Sequence, residues 1–167
     1  TEDDMYSILW HVVHRRNDIE MLRILLSNDD FCRALGPEGY EEGHSAGSEL
    51  CTFAVMHNNV DILNLLIETG ADPGTKRHDF GDASYNPMNE AVRTDHVECA
   101  RVLLEAGVTP RYWEVSKAVR YGSAKVVSAF LEAGVDPNTL ELETKGFNML
   151  ELASTNLRPE VVYSNKI

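Results

Sequence analysis

The chain has 167 residues, 43% of them hydrophobic, which is enough for one domain with a substantial core and too apolar for disorder over most of its length. A formal net charge of −12 sets the molecule as a whole against nucleic acid and anionic membrane. Cys32, Cys51 and Cys99 form an odd, widely spaced set that excludes a disulfide framework or a zinc ribbon and suits a reducing, cytoplasmic or nuclear compartment; no signal peptide and no membrane-spanning apolar run is present.

Apolar spacing predicts a first short helix over 8–15 and a second over 18–29. Asp29 stands at the stop of that second helix, a place that favours a left-handed residue. The stretch 31–47 is rich in Gly, Glu and Ser and reads as a long loop. A helix over 50–57 follows, then one over 59–70 closed by Gly70-Ala71-Asp72-Pro73. After a loop over 76–85, helices are predicted over 87–93 and 96–107, with Gly107-Val108-Thr109-Pro110 as the next stop. The connection 109–113 is short, and helices over 115–121 and 123–134 end at Gly134-Val135-Asp136-Pro137. Glycine ends a helix at low steric cost, and the proline beyond it prevents continuation. A fifth short helix begins at 146–154 and runs on through 160–162, leaving 163–167 as a tail expected to fray.

The four longer segments align without gaps: 18–29, 59–70, 96–107 and 123–134. Each carries helically spaced apolar residues, an apolar pair and a stop, and each follows a shorter apolar helix. A helix pair of this size cannot cover its own apolar face, so neighbouring pairs must stack. The set resembles the ankyrin-repeat family, whose unit of about 33 residues opens its first helix with Thr-Pro-Leu-His. The best match is Asn86-Pro87-Met88-Asn89 followed by Ala91, with Asp95-His96 in the inter-helix turn. Leu103-Leu104-Glu105-Ala106-Gly107 and Gly70-Ala71-Asp72-Pro73 lie close to the family pattern, and His11 is placed at the histidine position of the first copy.

The resemblance implies an all-α ankyrin-repeat solenoid with irregular finger loops. It covers 1–167 as a single domain, with repeats at roughly 4–36, 46–76, 84–110, 111–138 and 145–167, the first and last acting as caps. The stops at Asp29, Gly70, Gly107 and Gly134 are 41, 37 and 27 residues apart, so the fingers depart from the family's regular length. They are open to two readings: a surface shaped for one ligand, or drift in tolerant loops.

The resemblance also implies non-catalytic recognition of a protein or peptide along a concave groove lined by the ends of the first helices. The residues so placed are Arg15, Arg16, Met56, His57, Arg93 and Arg120, with Tyr85, Tyr112 and Tyr121 supplying contact area. Arginine offers a planar donor fork, so the expected partner carries acidic groups; solvated helix-end charge is the plainer account. Glu90 and Lys117 occupy equivalent places 27 residues apart, where Val12 and Phe53 stand in other copies, and are expected to pair. With His78 and Asp79 they define a candidate pocket for the alternative function, a small-molecule binder or unusual enzyme.

Other motifs carry less. Gly43-His44-Ser45-Ala46-Gly47 matches the hydrolase elbow G-x-S-x-G but lacks the core strand that motif needs before it, and reads as a flexible loop. His11 and His14 lack a third ligand, so no metal is expected. No cofactor-binding loop is present, and Cys51 and Cys99 lie on apolar helix faces as core residues.

Overall fold

The computed structural model describes residues 2–35, 46–74 and 86–136. Its helices are α1 Glu2–Trp10, which continues as a π-helical turn over His11–Arg16, α2 Ile19–Leu26, α3 Asp29–Arg33, α4 Ala46–Met56, α5 Val60–Glu68, α6 Pro87–Thr94, α7 Val97–Glu105, α8 Tyr112–Tyr121 and α9 Ala124–Glu132. Among the described residues there is no strand. The fifth repeat expected over 145–167 lies outside the described residues.

A tight turn makes each helix pair. Asn17, Asn58, Asp95 and Gly122 sit there with φ of 51°, 51°, 53° and 71°. Asn and Asp tolerate this left-handed conformation because their short polar side chains bond locally. The next residue opens the outer helix. Asp18 and Asn59 cap it by accepting from the backbone N–H of Met21 and Ile62 at 3.0 and 2.9 Å. His96 and Ser123 instead reach to the preceding repeat: His96 Nδ1 donates to the Val55 carbonyl at 2.9 Å and Ser123 Oγ to the Val92 carbonyl at 2.7 Å. These bonds tie one repeat to the next at the turns.

The first outer helix stops differently from the expectation. Gly70, Gly107 and Gly134 close α5, α7 and α9 with positive φ. Asp29 is no such stop. Helix α2 ends at Ser27, Asn28 accepts from Asp30 N–H at 2.8 Å, and Asp29 begins α3. Asn28 is a better N-cap than Asp29 is a left-handed residue, so the chain starts a new turn of helix there.

The inner row is α1 with its π turn, then α4, α6 and α8; the outer row is α2, α5, α7 and α9. The core lies between the rows. Leu9, Cys51, Met88 and Val115 occupy one equivalent place and are buried; so do Val12, Ala54, Ala91 and Ala118. The run of alanines lets consecutive inner helices approach closely. From the outer row Leu22, Leu63, Leu66, Leu103 and Phe130 complete the core, each such side chain adding about 1.5–3 kcal/mol by leaving water.

The equivalences follow from the backbone. Asn59, His96 and Ser123 N–H bond to the carbonyls of Ala54, Ala91 and Ala118, whereas Asp18 N–H bonds one residue further back, to Val12. The π turn therefore holds one extra residue, between Val13 and Asn17. Two expectations shift by one place. Trp10, not His11, stands where Asn89 does, and His11, not Val12, stands where Glu90 and Lys117 do.

Candidate binding groove

The ends of the inner helices are side by side on consecutive repeats. In the first repeat the extra residue gives three side chains, His14, Arg15 and Arg16, where the others have two. π turns of this kind are common where a protein binds something. The Arg15 guanidinium carbon lies 5.6 Å from the Trp10 ring centre. His14 packs 4.8 Å from Trp10 and 4.2 Å from Phe53, and Trp10 meets Phe53 edge-on at 5.9 Å. His57 Nε2 donates to the His14 carbonyl at 2.8 Å, with the two imidazoles 5.6 Å apart. The result is an aromatic and imidazole seam across the first two repeats.

Burial pushes the His14 pKa down, and the His57 and Arg15 charges add to this. Its Nδ1 is buried and makes no hydrogen bond to a described residue. Arg15, Arg16, Met56 and His57 are exposed along the seam.

In the third repeat Arg93 lies over Glu90. Its Nε donates to Glu90 Oε2 at 3.0 Å and its Nη2 to Oε1 at 2.5 Å. The Glu90 side chain is only 9% exposed and that of Arg93 56%. In the fourth repeat Lys117 Nζ donates to Asn89 Oδ1 at 3.1 Å and lies 4.9 Å from the Trp113 ring centre. The expected Glu90–Lys117 pair does not form. An arginine three residues on along its own helix gives Glu90 a two-pronged partner without crossing repeats. Lys117 finds a neutral acceptor and a π-face instead. Arg120 is exposed, and Tyr121 and Tyr112 are 58% and 42% exposed. Tyr85, His78 and Asp79 lie outside the described residues.

Sequence reading did not place Trp10, His14, Phe53, Trp113 or Asn89 in the groove. The signal was present for three of them: Trp10 and His14 stand four apart, as Trp113 does from Lys117, the spacing that brings helical side chains into contact. It could not show the extra residue of the π turn, which sets their register.

A cavity of about 120 Å³ opens on the finger side between the second, third and fourth repeats, with Asn86, Arg111 and Glu114 among its lining residues. Glu114 is buried and accepts from Arg111 N–H at 2.7 Å. Burial raises its pKa, while the bonds from Arg111 N–H and the Asn86 side chain oppose the rise. Metabolite pockets are larger, roughly 300–1,000 Å³.

Burial raises the Cys51 thiol far above its ordinary value and pushes Cys99 to about 11, which makes both poor nucleophiles. Ser45 lies outside the described residues. Gly47 of the same motif is buried in α4, where a Cβ would meet the Leu35 carbonyl oxygen at 2.7 Å, so packing accounts for that glycine. Among the described residues no group of three or more His, Cys, Asp or Glu is arranged to hold a metal ion, and no helix is long and apolar enough to cross a membrane.

A family model for ankyrin repeats, in three copies, matches residues 9–112, more than half of the chain. No curated protein matches it.

Proposed function

The chain belongs to the ankyrin-repeat family, and on that premise we propose that it is a non-catalytic recognition module whose concave groove binds an acidic protein or peptide segment. Ankyrin repeats generally mediate protein–protein interaction. The observation that carries the finer reading is the concentration of exposed cationic and imidazole groups at the inner-helix ends, Arg15, Arg16, His57, Arg93 and Arg120, in a chain of net charge −12. Tyr121 and the Trp10 seam set amphipathic rings beside those charges, and Tyr112 is exposed at the other end of α8. Aromatic and arginine side chains are the usual anchors of an interface, and opposite charge speeds encounter and selects the partner.

We read the whole chain as one stack, with 145–167 as its last repeat, working inside the cell. Three cysteines without a disulfide suit that compartment.

The test is affinity capture with two variants beside the wild type. Arg15→Glu/Arg16→Glu/Arg120→Glu reverses the groove charge at exposed positions. Lys125→Glu changes charge on the outer row. A protein retained by wild type and Lys125→Glu but lost with the triple variant, and competed by an acidic peptide, supports the reading. Retention unchanged by the triple variant removes the groove assignment.

A further inference from the structure

Two rows of side chains run along the tips of the inner helices. Counting back from the turn residues Asn17, Asn58, Asp95 and Gly122, the second residue is Arg15, Met56, Arg93 or Arg120, and the first is Arg16, His57, Thr94 or Tyr121. The row of arginines is interrupted at the second repeat, where Met56 is 36% exposed. The surroundings of that methionine are rings. Phe53 stands three residues before it on α4, and His57 follows it. The His14 ring lies 4.2 Å from Phe53 and 5.6 Å from His57. Burial holds His14 below the ordinary imidazole value, so at neutral pH it offers a ring without a charge. The cations on the two sides of Met56 differ. Arg15 and Arg16 are exposed and, among the described residues, belong to no ion pair. Arg15 rests 5.6 Å from the Trp10 ring centre, which orders it before any partner arrives. Arg93, on the other side, is already forked onto Glu90.

Resting on the groove reading above, we infer that the partner is an extended segment with an apolar or aromatic side chain seated on Met56 and an acidic side chain about three residues away, on one side only, held by Arg15 and Arg16. Methionine suits the first contact because its unbranched, polarizable side chain adapts to the shape it meets. The spacing follows from the stack. The π turn and α4 are packed neighbours, helices in contact lie about 8–10 Å apart, and an extended chain advances about 3.3 Å per residue. One repeat therefore answers to about three residues of partner. The one-sidedness follows from Glu90: the charge that an acid would meet one repeat beyond Met56 is already balanced.

Selection from a random peptide library displayed on phage, with the immobilised chain as bait, is the experiment. Enriched peptides are expected to share an apolar or aromatic residue with Asp or Glu about three positions from it, always on the same side. Met56→Ser should weaken a synthetic copy of an enriched peptide by about tenfold. In a repeated selection it should remove the apolar preference and keep the acidic one. Arg15→Glu/Arg16→Glu should do the reverse. Both variants change exposed side chains and should melt near the wild-type temperature; Met56→Gln, of similar length, repeats the first test with packing preserved. Acidic peptides without an apolar residue at a fixed distance overturn the inference and leave the groove reading standing. So do acids enriched equally on both sides, or an apolar preference that survives both Met56 variants. No enrichment, or enrichment unchanged by Arg15→Glu/Arg16→Glu/Arg120→Glu, removes the groove reading and the inference with it.

Discussion

The pairs α6–α7 and α1–α2 follow one plan and differ in what holds them. The third repeat has neighbours on both sides. His96 bonds back to the second repeat, and Val92, Asp95 and Arg101 receive bonds or an ion pair from the fourth through Ser123, Val126 and Glu132. Its core places are filled tightly enough to hold Glu90 and Asn89 under cover. The first repeat has a described neighbour on one side only. It carries an extra residue in its inner helix, an additional short helix after α2, and apolar side chains in solvent. A solenoid unit draws its stability from its inter-repeat interfaces, and the first repeat, with one such interface among the described residues, has more freedom in register and surface. That freedom lies where the Trp10–His14–Phe53 seam is built.

The largest expected difference comes from the same repeat position on two helices. Ile62→Ala should cost about 2–5 kcal/mol, because its side chain is fully buried between repeats, whereas Met21→Ala should cost under about 0.5–1 kcal/mol. Leu103→Ala belongs with Ile62→Ala. Urea titrations followed by circular dichroism measure all three. Equal losses at Ile62 and Met21 would show that the first repeat is held as firmly as the interior and would break the comparison. The next contrast is between two arginines. Arg93→Glu leaves the covered Glu90 carboxylate without its fork and facing a like charge, so it should cost about 1–3 kcal/mol, towards the lower end because Arg93 is half in water. Arg16→Glu, on the exposed π turn, should cost under about 0.5 kcal/mol. A neutral Arg93→Glu would mean that Glu90 has no need of its partner.

The difference between these two arginines also shows what a sequence can reveal. The helix pairs, their stacking and the glycine stops were legible because they rest on local rules: 3.6-residue apolar spacing and left-handed C-terminal residues. The exposed ends of the inner helices were legible for the same reason. The partner of Glu90 was not, since opposite charges at equivalent places suggested Lys117 while the nearer answer lay one turn along the same helix. The π turn was not legible either. One extra residue leaves the apolar pattern of 8–15 intact and shows only in the hydrogen bond from Asp18 to Val12. That slip moved His11 out of the family's histidine position and hid the role of Trp10. Asp29 misled because a stop was inferred from alignment with glycines, when Asn28 was the better cap.

A smaller effect sharpens the view of the interior. Ser123 Oγ is buried and donates to the Val92 carbonyl of the preceding repeat. Ser123→Ala removes that bond and little volume, so its loss should be about 0.5–1.5 kcal/mol. Hydrogen exchange should show the loss at the α6–α9 contact before it reaches α1. A uniform loss across all repeats would mean that the stack unfolds only as a whole.

The smallest effect tests the first repeat by pH. His14 is held below the ordinary imidazole value of 6.5, first by burial and then by His57 and Arg15. A group whose pKa is lower in the folded chain takes up its proton more readily when unfolded. Between the folded value and 6.5 the unfolded chain therefore binds more protons, and stability rises with pH across that window. Above 6.5 the term is flat. On acidification it is lost progressively until the folded pKa is passed. His14→Phe keeps a ring between Trp10 and Phe53 and cannot titrate, so the stability of wild type relative to this variant should be level above pH 6.5 and fall below it. His57→Asn removes one of the two charges facing His14. The decline should then be confined to a narrower window, because the folded value moves up towards 6.5. If wild type and His14→Phe keep a constant difference from neutral pH down through this window, the His14 imidazole takes up its proton in the folded chain as easily as in the unfolded one. The seam would then be open to water and no more ordered than the exposed arginines beside it.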